Sequence, residues 1–386
     1  MTDHHALYVS SFPPQRYRRP LLASRALKLL GIKTLFYSGW SLVDKHELLR
    51  KLVSVSGKLP KPLDWLLKDA AYESGLYMGS RIGELRCVIN LDTVGAYSLR
   101  KAAGKSPLII DLQEITIQDD GRIPFYDAQM LKMADAVIFT SGAIKELVNK
   151  QVKPKWKSFY VPFGIDLQSF DKAYKSSTAE LFLKKYNITK KPMVCYTGAA
   201  YLWGDREGQG LDLLIKSAAK IAKNNADVRI VIQGAAQPNT YMWAWLQTRI
   251  KRNNLEGKVL LIPPTNPFDP ARLGMFKASD VLLLPIGDIL GTYYSEQQKL
   301  FEYMASQRPI AMVATPARLH VLNKNSAFIS WRRDPDEFAS TIIEAMEKPE
   351  EAVEKAVNAR RIVEEKYDWK ILVHSYAAAV ASTIDA

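Results

Sequence analysis

Cysteine is scarce in this chain of 386 residues: only Cys87 and Cys195 are present, far apart and each inside an apolar, strand-like run. A disulfide framework is thereby excluded, and buried free thiols of a reducing compartment are expected. The five histidines show no ligand spacing, so no metal site is expected. No apolar run is long enough to cross a bilayer, and no basic-then-apolar leader opens the chain; a cytoplasmic location is the expectation. Low-complexity tracts and short repeats are lacking too. The dinucleotide fingerprint G-x-G-x-x-G does not follow the first strand, where Ser10-Ser-Phe-Pro-Pro-Gln-Arg16 stands instead, and the P-loop pattern is missing throughout. Both lacks weigh against nicotinamide-dependent redox chemistry and ATP hydrolysis. With no zinc finger, helix-turn-helix or RNA-binding signature, a nucleic-acid partner is not expected.

What is present describes a soluble globular protein: 47% of residues are hydrophobic and 24% charged. The length favours two domains. The net charge of +13 is uneven, with +9 over residues 1–165 and +4 over the rest. A basic N-terminal half suits anionic partners, either nucleotide phosphates or acidic lipid headgroups. Leu48–Met78 mixes Trp65, Leu66 and Leu67 with Lys58, Lys61 and Lys68. It reads as an amphipathic basic segment that lies on a membrane surface or covers a sheet.

Strand-like runs alternate with helix-like stretches from end to end, the pattern of α/β chains with parallel sheets. The first half offers Ala6–Ser10, Thr34–Tyr37, Cys87–Asn90, Leu108–Asp111, Ala136–Thr140 and Ser158–Val161. The second half offers Met193–Thr197, Val228–Gln233, Lys258–Ile262, Val281–Pro285, Ile310–Val313 and Ala327–Ser330. Long helices are expected over Leu211–Asn224 and Pro238–Asn253, and Val161–Asp166 is the expected domain junction. Between Val281–Pro285 and Ile310–Val313 lies a helix-length segment with Ser295 three residues before Gln298, a capping-box spacing that predicts a helix start. Lys299 and Glu302 share a face of that helix. Strand–loop–helix units of this kind bind ligands at strand carboxyl ends, beside helix N-termini. Met193–Gly198 is a strand running into glycine, followed by Arg206 and the pair Gly208 and Gly210 before the next helix; Val228–Gly234 is a second strand ending in glycine. Glycines, an arginine and a helix N-terminus together make a phosphate-shaped arrangement, with a surface ion-pair cluster of Asp205, Arg206 and Glu207 as the alternative.

Five segments, in order, carry a resemblance to the retaining glycosyltransferases of family 4, which have the GT-B fold. Val161-Pro-Phe-Gly-Ile-Asp166 resembles the family's "VPNGVD" linker, and Tyr196-Thr-Gly198 with Gly208–Ile215 resembles "YTG…KGLDLLI". Ala278–Pro285 resembles "ADVLLLPS", Lys299–Pro309 resembles "KLFEYMAAGKP", and Asp334–Ala339 resembles "DPEELA". The resemblance implies an α/β architecture of two Rossmann-like domains with parallel sheets facing a central cleft. Residues 1–170 would form the acceptor domain, with a C-terminal helix at about 369–386 packed back on it, and 171–368 the donor domain. The implied reaction moves a sugar from a UDP- or GDP-linked donor to a glycan or lipid-linked acceptor, without a metal; the basic N-terminal half and Leu48–Met78 add the expectation that it does so on an anionic membrane face.

The resemblance also implies roles. Glu302 would meet the ribose hydroxyls, Lys299 and Arg206 the departing diphosphate, and Gly198, Gly234, Tyr294 and Ser295 the remainder of the donor. Glu296, or backbone N–H groups of Tyr294 to Gln297, would substitute near the sugar for the family's usual glutamate, whose position is Tyr294. Gln113 occupies the place of a frequent active-site histidine, beside Glu114, and Gln209 that of the lysine in the "KG" pair. Arg16 and its neighbours stand where many members carry paired glycines. Asp92, at another strand end, would orient the acceptor. These departures leave open a non-catalytic sugar-nucleotide-binding or partner subunit, or a GT-B sugar-nucleotide epimerase.

Overall fold

A computed structural model describes residues 5–10, 18–38, 47–56, 71, 74, 85–189, 192–224 and 227–385. Arg16 and most of Leu48–Met78 lie outside these residues. The chain divides into two compact units, Met1–Pro162 with Lys370–Ala386, and Phe163–Trp369. The division falls inside the turn-rich Val161–Asp166 segment.

The first unit is built on one parallel sheet: β1 (His5–Ser10), β2 (Lys33–Ser38), β3 (Cys87–Leu91), β4 (Leu108–Leu112), β5 (Ala136–Phe139) and β6 (Lys157–Tyr160), in the order β2-β1-β3-β4-β5-β6. β3, β4 and β5 are buried along their whole lengths. Continuous apolar runs such as Ala136-Val-Ile-Phe139 suit strands covered on both faces, as parallel sheets require. The C-terminal helix Trp369–Ile384 belongs here because Tyr376 donates a hydrogen bond to Asp111 Oδ2 at 2.9 Å. Tyr8 donates to the same oxygen at 3.1 Å, and Arg19 donates to both carboxylate oxygens from Nε and to Oδ1 from Nη2 at 2.8 Å. This fully buried pair is held by charge-assisted bonds in a setting where an unpaired partner would be costly. Asp111 is thus a core anchor, and Arg19 is spent on it rather than on a ligand.

The second unit carries β7 (Met193–Thr197), β10 (Arg229–Gln233), β11 (Val259–Ile262), β12 (Val281–Leu284), β13 (Ile310–Val313) and β14 (Phe328–Ser330) in the order β11-β10-β7-β12-β13-β14. The order reverses between β7 and β12, so the crevice at their carboxyl ends is the topological switch point. Side chains alternate across this sheet with the two-residue period of a strand. Val194 and Tyr196 enter a core under the helices Leu211–Asn224 and Pro335–Glu347, while Met193 and Cys195 enter the opposite core with Phe276 and Phe301. Burial pushes the Cys87 and Cys195 thiols up to about 12, which makes both unreactive.

Two local expectations are corrected. Ser295 caps nothing at a helix start; its hydroxyl donates to Gly291 O at 2.9 Å and closes a short helix, Leu290–Tyr294. The next helix is Gln298–Ala305, with Gln297 as its N-cap and no side-chain capping bond. The helix expected from Pro238 begins at Tyr241, because Thr240 accepts from the Trp243 amide. A small hairpin, β8 (Leu202–Trp203) with β9 (Arg206–Glu207), has two-residue strands too short to leave an alternating pattern in the sequence.

Candidate functional site

The switch point of the second sheet gathers several of the residues that the sequence singles out. β7 ends in Gly198, whose φ of +136° places it in a region that side chains rarely adopt. A Cβ there would lie 2.6 Å from Lys299 Nζ, so the ammonium sits directly over the strand end. Gly234, ending β10 at φ +82°, packs behind it, with its missing Cβ 3.6 Å from Gly198 N. Lys299 reaches this point from the first turn of Gln298–Ala305. It donates to Tyr196 Oη at 2.7 Å and to Gln209 Oε1 at 2.8 Å, with its charge over the Tyr196 ring.

Burial pushes the Lys299 ammonium down to about 7, helped by the nearby Arg318 and opposed by the Glu207 and Glu302 carboxylates. Arg318 is itself buried at 3% exposure, donating to the carbonyls of Leu284, Pro285 and Val313 at the ends of β12 and β13. Its fourth bond, to Gln297 Oε1 at 3.2 Å, continues through Gln297 Nε2 to Gln209 Oε1 at 3.1 Å. One polar chain therefore links Arg318, Gln297, Gln209, Lys299 and Tyr196. Two cations with amide and phenol partners at a strand-end crevice form an anion-seeking arrangement. Arg318 and the Gln297 side chain escaped the sequence reading. The available signal was Thr315-Pro-Ala-Arg318, a capped helix start directly after β13, with Thr315 accepting from the Arg318 amide.

Lys299 and Glu302 share a helix face, yet their heads go to different partners. Glu302 pairs with Arg272 at 2.6 Å, and both side chains are nearly buried. Arg272 also donates to Pro267 O at 2.8 Å, which fixes the guanidinium and so the carboxylate. No sequence spacing connects residues 272 and 302. Tyr294 ends the short helix before Lys299, Ser295 follows it, and Glu296 in the connection is 1% exposed.

The glycine pair before Leu211–Asn224 serves packing. A Cβ on Gly210 would meet Ile286 N at 2.4 Å, and one on Gly208 would meet the Tyr201 ring. The amides of Gln209, Gly210 and Leu211, which begin that helix, all donate to the Glu207 carboxylate at 2.5–2.7 Å. That helix N-terminus is capped from within the chain, so its amides are taken by Glu207 rather than open to a phosphate. Arg206 is half-buried on the hairpin, opposite Trp203.

In the first unit Asp92 follows β3 at φ +65°, beside that sheet's own order reversal between β1 and β3. Its Oδ1 accepts from the amides of Gln113 at 2.8 Å and Glu114 at 3.3 Å. Burial nevertheless pushes the carboxyl up to about 7, the two amide bonds opposing and Glu114 adding repulsion. Gln113 is buried, and neither its Nε2 nor Asn90 Oδ1 has a partner among the described residues. Among those residues no group of three or more His, Cys, Asp or Glu could hold a metal ion, and no helix is long and apolar enough to cross a membrane.

Residues 191–348 match the family model described as "Glycosyl transferases group 1". This span contains Gly198, Gln209, Gln297, Lys299, Glu302 and Arg318. The matched residues all lie in the second unit, and the chain has the GT-B fold. No curated protein sequence matches the chain. Solved structures of similar fold include sucrose-phosphate synthase from Thermosynechococcus elongatus, at TM-score 0.70 and 13% identity over 96% of each chain. An Anabaena protein, HepE, in complex with UDP-glucose superposes at TM-score 0.73 and 14% identity, over 98% of this chain and 99% of that one. Trehalose 6-phosphate synthase from Burkholderia multivorans gives 0.71 and 10% identity over 99% of both. At these identities the likeness shows architecture, two Rossmann-like domains, and leaves the chemistry to the site itself.

Proposed function

We propose that this glycosyltransferase takes its sugar from a UDP- or GDP-linked donor seated at the β7–β12 switch point and passes it, with retained configuration, to a glycan or lipid-linked acceptor. The observation that carries the reading is Lys299, whose ammonium lies over the terminal glycine of β7 with its charge suppressed by burial. A diphosphate placed there supplies the negative charge that the site lacks, and the lysine in turn stabilises the charge developing on the leaving group. HepE, similar in fold, is seen with UDP-glucose.

Glu302, oriented by Arg272, accepts from the ribose hydroxyls in this reading. Arg206 supports the phosphates, while Tyr294, Ser295 and the buried Glu296 border the sugar. Asp92, Gln113 and Glu114 orient the acceptor hydroxyl; the unpartnered Gln113 Nε2 is the available donor. The departing phosphate helps remove the acceptor proton on the same face of the sugar, so no protein nucleophile and no resident metal is invoked. The basic N-terminal half is proposed to rest on an anionic membrane.

Calorimetry with UDP, GDP and their sugars tests the donor site. Binding that Lys299→Ala weakens at least tenfold supports it, and equal binding by the folded variant overturns it. Donor cleavage with transfer to any acceptor separates the enzyme from a binding subunit, and a changed sugar in the donor alone would mark an epimerase. Flotation with anionic but not neutral vesicles at low salt tests the membrane placement.

A further inference from the structure

The polar chain behind Lys299 has a direction, and Arg318 sets it. A guanidinium has only donors to offer. The buried Arg318 gives Nη1 to Leu284 O at 2.6 Å and to Val313 O at 3.0 Å, and Nη2 to Pro285 O at 2.6 Å. These carbonyls belong to the backbone at the ends of β12 and β13, so the guanidinium cannot swing away without stranding them. The atom it meets on Gln297 must therefore be the carbonyl oxygen, Oε1, at 3.2 Å. That orientation turns Gln297 Nε2 towards Gln209 at 3.1 Å, and Gln209 has to answer with its own oxygen. The same Oε1 accepts from Lys299 Nζ at 2.8 Å, so both of its lone pairs are taken.

One group of the chain is left over. Gln209 Nε2 has no partner among the described residues, yet it is open to solvent, and Gln209 is partly exposed. A surface amide ordinarily turns freely and bonds to water. This one is held, because a flip would set its NH2 against the NH2 of Gln297 and take the acceptor away from Lys299.

The backbone is fixed as well, since the Gln209 amide N–H donates to Glu207 Oε1 at 2.7 Å. Lys299 Nζ and Gln209 Nε2 thus flank one oxygen, Gln209 Oε1, at the end of β7. A donor ordered before its ligand arrives loses little rotamer freedom on binding. Two such donors side by side suit a group with several acceptor oxygens, as a diphosphate has.

We propose that Gln209 contacts the ligand of this crevice, giving its side-chain N–H to a diphosphate oxygen beside Lys299, and that Arg318 and Gln297 are positioning residues that hold its amide in the donating orientation. This role rests on a donor diphosphate seated at Lys299. Arg318, its bonds spent on backbone carbonyls and Gln297, acts on the ligand only through the two amides.

The test is calorimetry of the full chain with UDP and GDP, with melting temperatures measured alongside. Gln209→Leu, at a partly exposed position, is expected to weaken binding by about tenfold or more. Gln297→Leu leaves Gln209 free to turn and is expected to weaken binding about threefold to tenfold, the cost of ordering one side chain. In the Gln209→Leu background Gln297→Leu should cost nothing further, because a positioning residue acts only through the group it positions. A purely structural role for Gln297 gives the same loss in both backgrounds, and that result overturns the positioning role. The side-chain amide protons of Gln209, assigned by their loss in Gln209→Leu, should shift on adding UDP. An unmoved pair at saturation overturns the contact, whatever the stability of the variants. Lys299→Met separates the two readings. If it weakens UDP binding while Gln209→Leu does not, the donor site stands and the Gln209 contact falls; if neither weakens it, both fall.

Discussion

Lys299 makes the donor reading testable through protons. Its free-state value of about 7 means that at pH 8 only about one tenth of the protein carries the ammonium. A diphosphate within hydrogen-bond distance favours the charged form, and a rise to about 9 in the complex is a moderate shift for such a neighbour. Binding at pH 8 should then take up about 0.8 proton, and at pH 6 only about 0.1, because the lysine is already protonated there. Affinity should fall about tenfold from pH 6 to pH 8, close to 1.4 kcal/mol. Calorimetric titration of the sugar nucleotide in two buffers of different ionisation enthalpy measures the uptake directly. The diester diphosphate of the donor has no group of its own titrating in this window. Lys299→Met should abolish the uptake and weaken binding by about 1.5–3 kcal/mol, the range for hydrogen bonds to a charged group. Uptake below about 0.2 proton at pH 8, or equal uptake in the variant, would refute the placement of the diphosphate on Lys299.

The same lysine should destabilise the unliganded fold. Its folded value lies below the unfolded value of about 10.4, so the penalty is full below pH 7 and fades as pH rises through 10.4; Lys299→Met should melt above wild type at pH 6.5, by a margin that shrinks towards pH 10. Gly198→Ala should cost roughly 1–3 kcal/mol of stability, because φ +136° strains any side chain, and about tenfold in donor affinity, because the Cβ displaces the Lys299 ammonium; unchanged affinity in the folded variant would mean that the glycine is needed only by the backbone. Glu302→Ala should lower stability by about 3–5 kcal/mol, because it strands the buried Arg272. Donor binding at Glu302 is therefore better read from Glu302→Gln, with urea unfolding run beside the titration. Asp111→Ala should cost a similar amount by stranding Arg19, and loss of the first unit's folding with the second unit's signal intact would confirm that the network is local.

The sequence by itself determined the twelve strands of the two sheets, to within a residue or two at their ends. Buried parallel strands must be continuous apolar runs, and such runs as Val281-Leu-Leu-Leu284 are legible without a partner. It also placed Gly198, Lys299 and Glu302 at one sheet edge, because strand–loop–helix order dictates which ends share a side. Tertiary structure alone decided what those groups touch. Glu207 caps the helix that the glycines seemed to open for a ligand, since a carboxylate four residues upstream can fold back on three amides. Arg318 joins Lys299 through two glutamines, the four side chains coming from three separate segments, and Arg272 meets Glu302 across thirty residues. Asp111, which sequence reads as a strand-end carboxylate, is committed to Arg19, Tyr8 and Tyr376 from the two ends of the chain. Periodicity records which face of an element is covered, because burial acts on every residue of that face. The partner of a single polar atom leaves no periodic trace, and the pKa values near 7 at Lys299 and Asp92 arise from those partners and their burial.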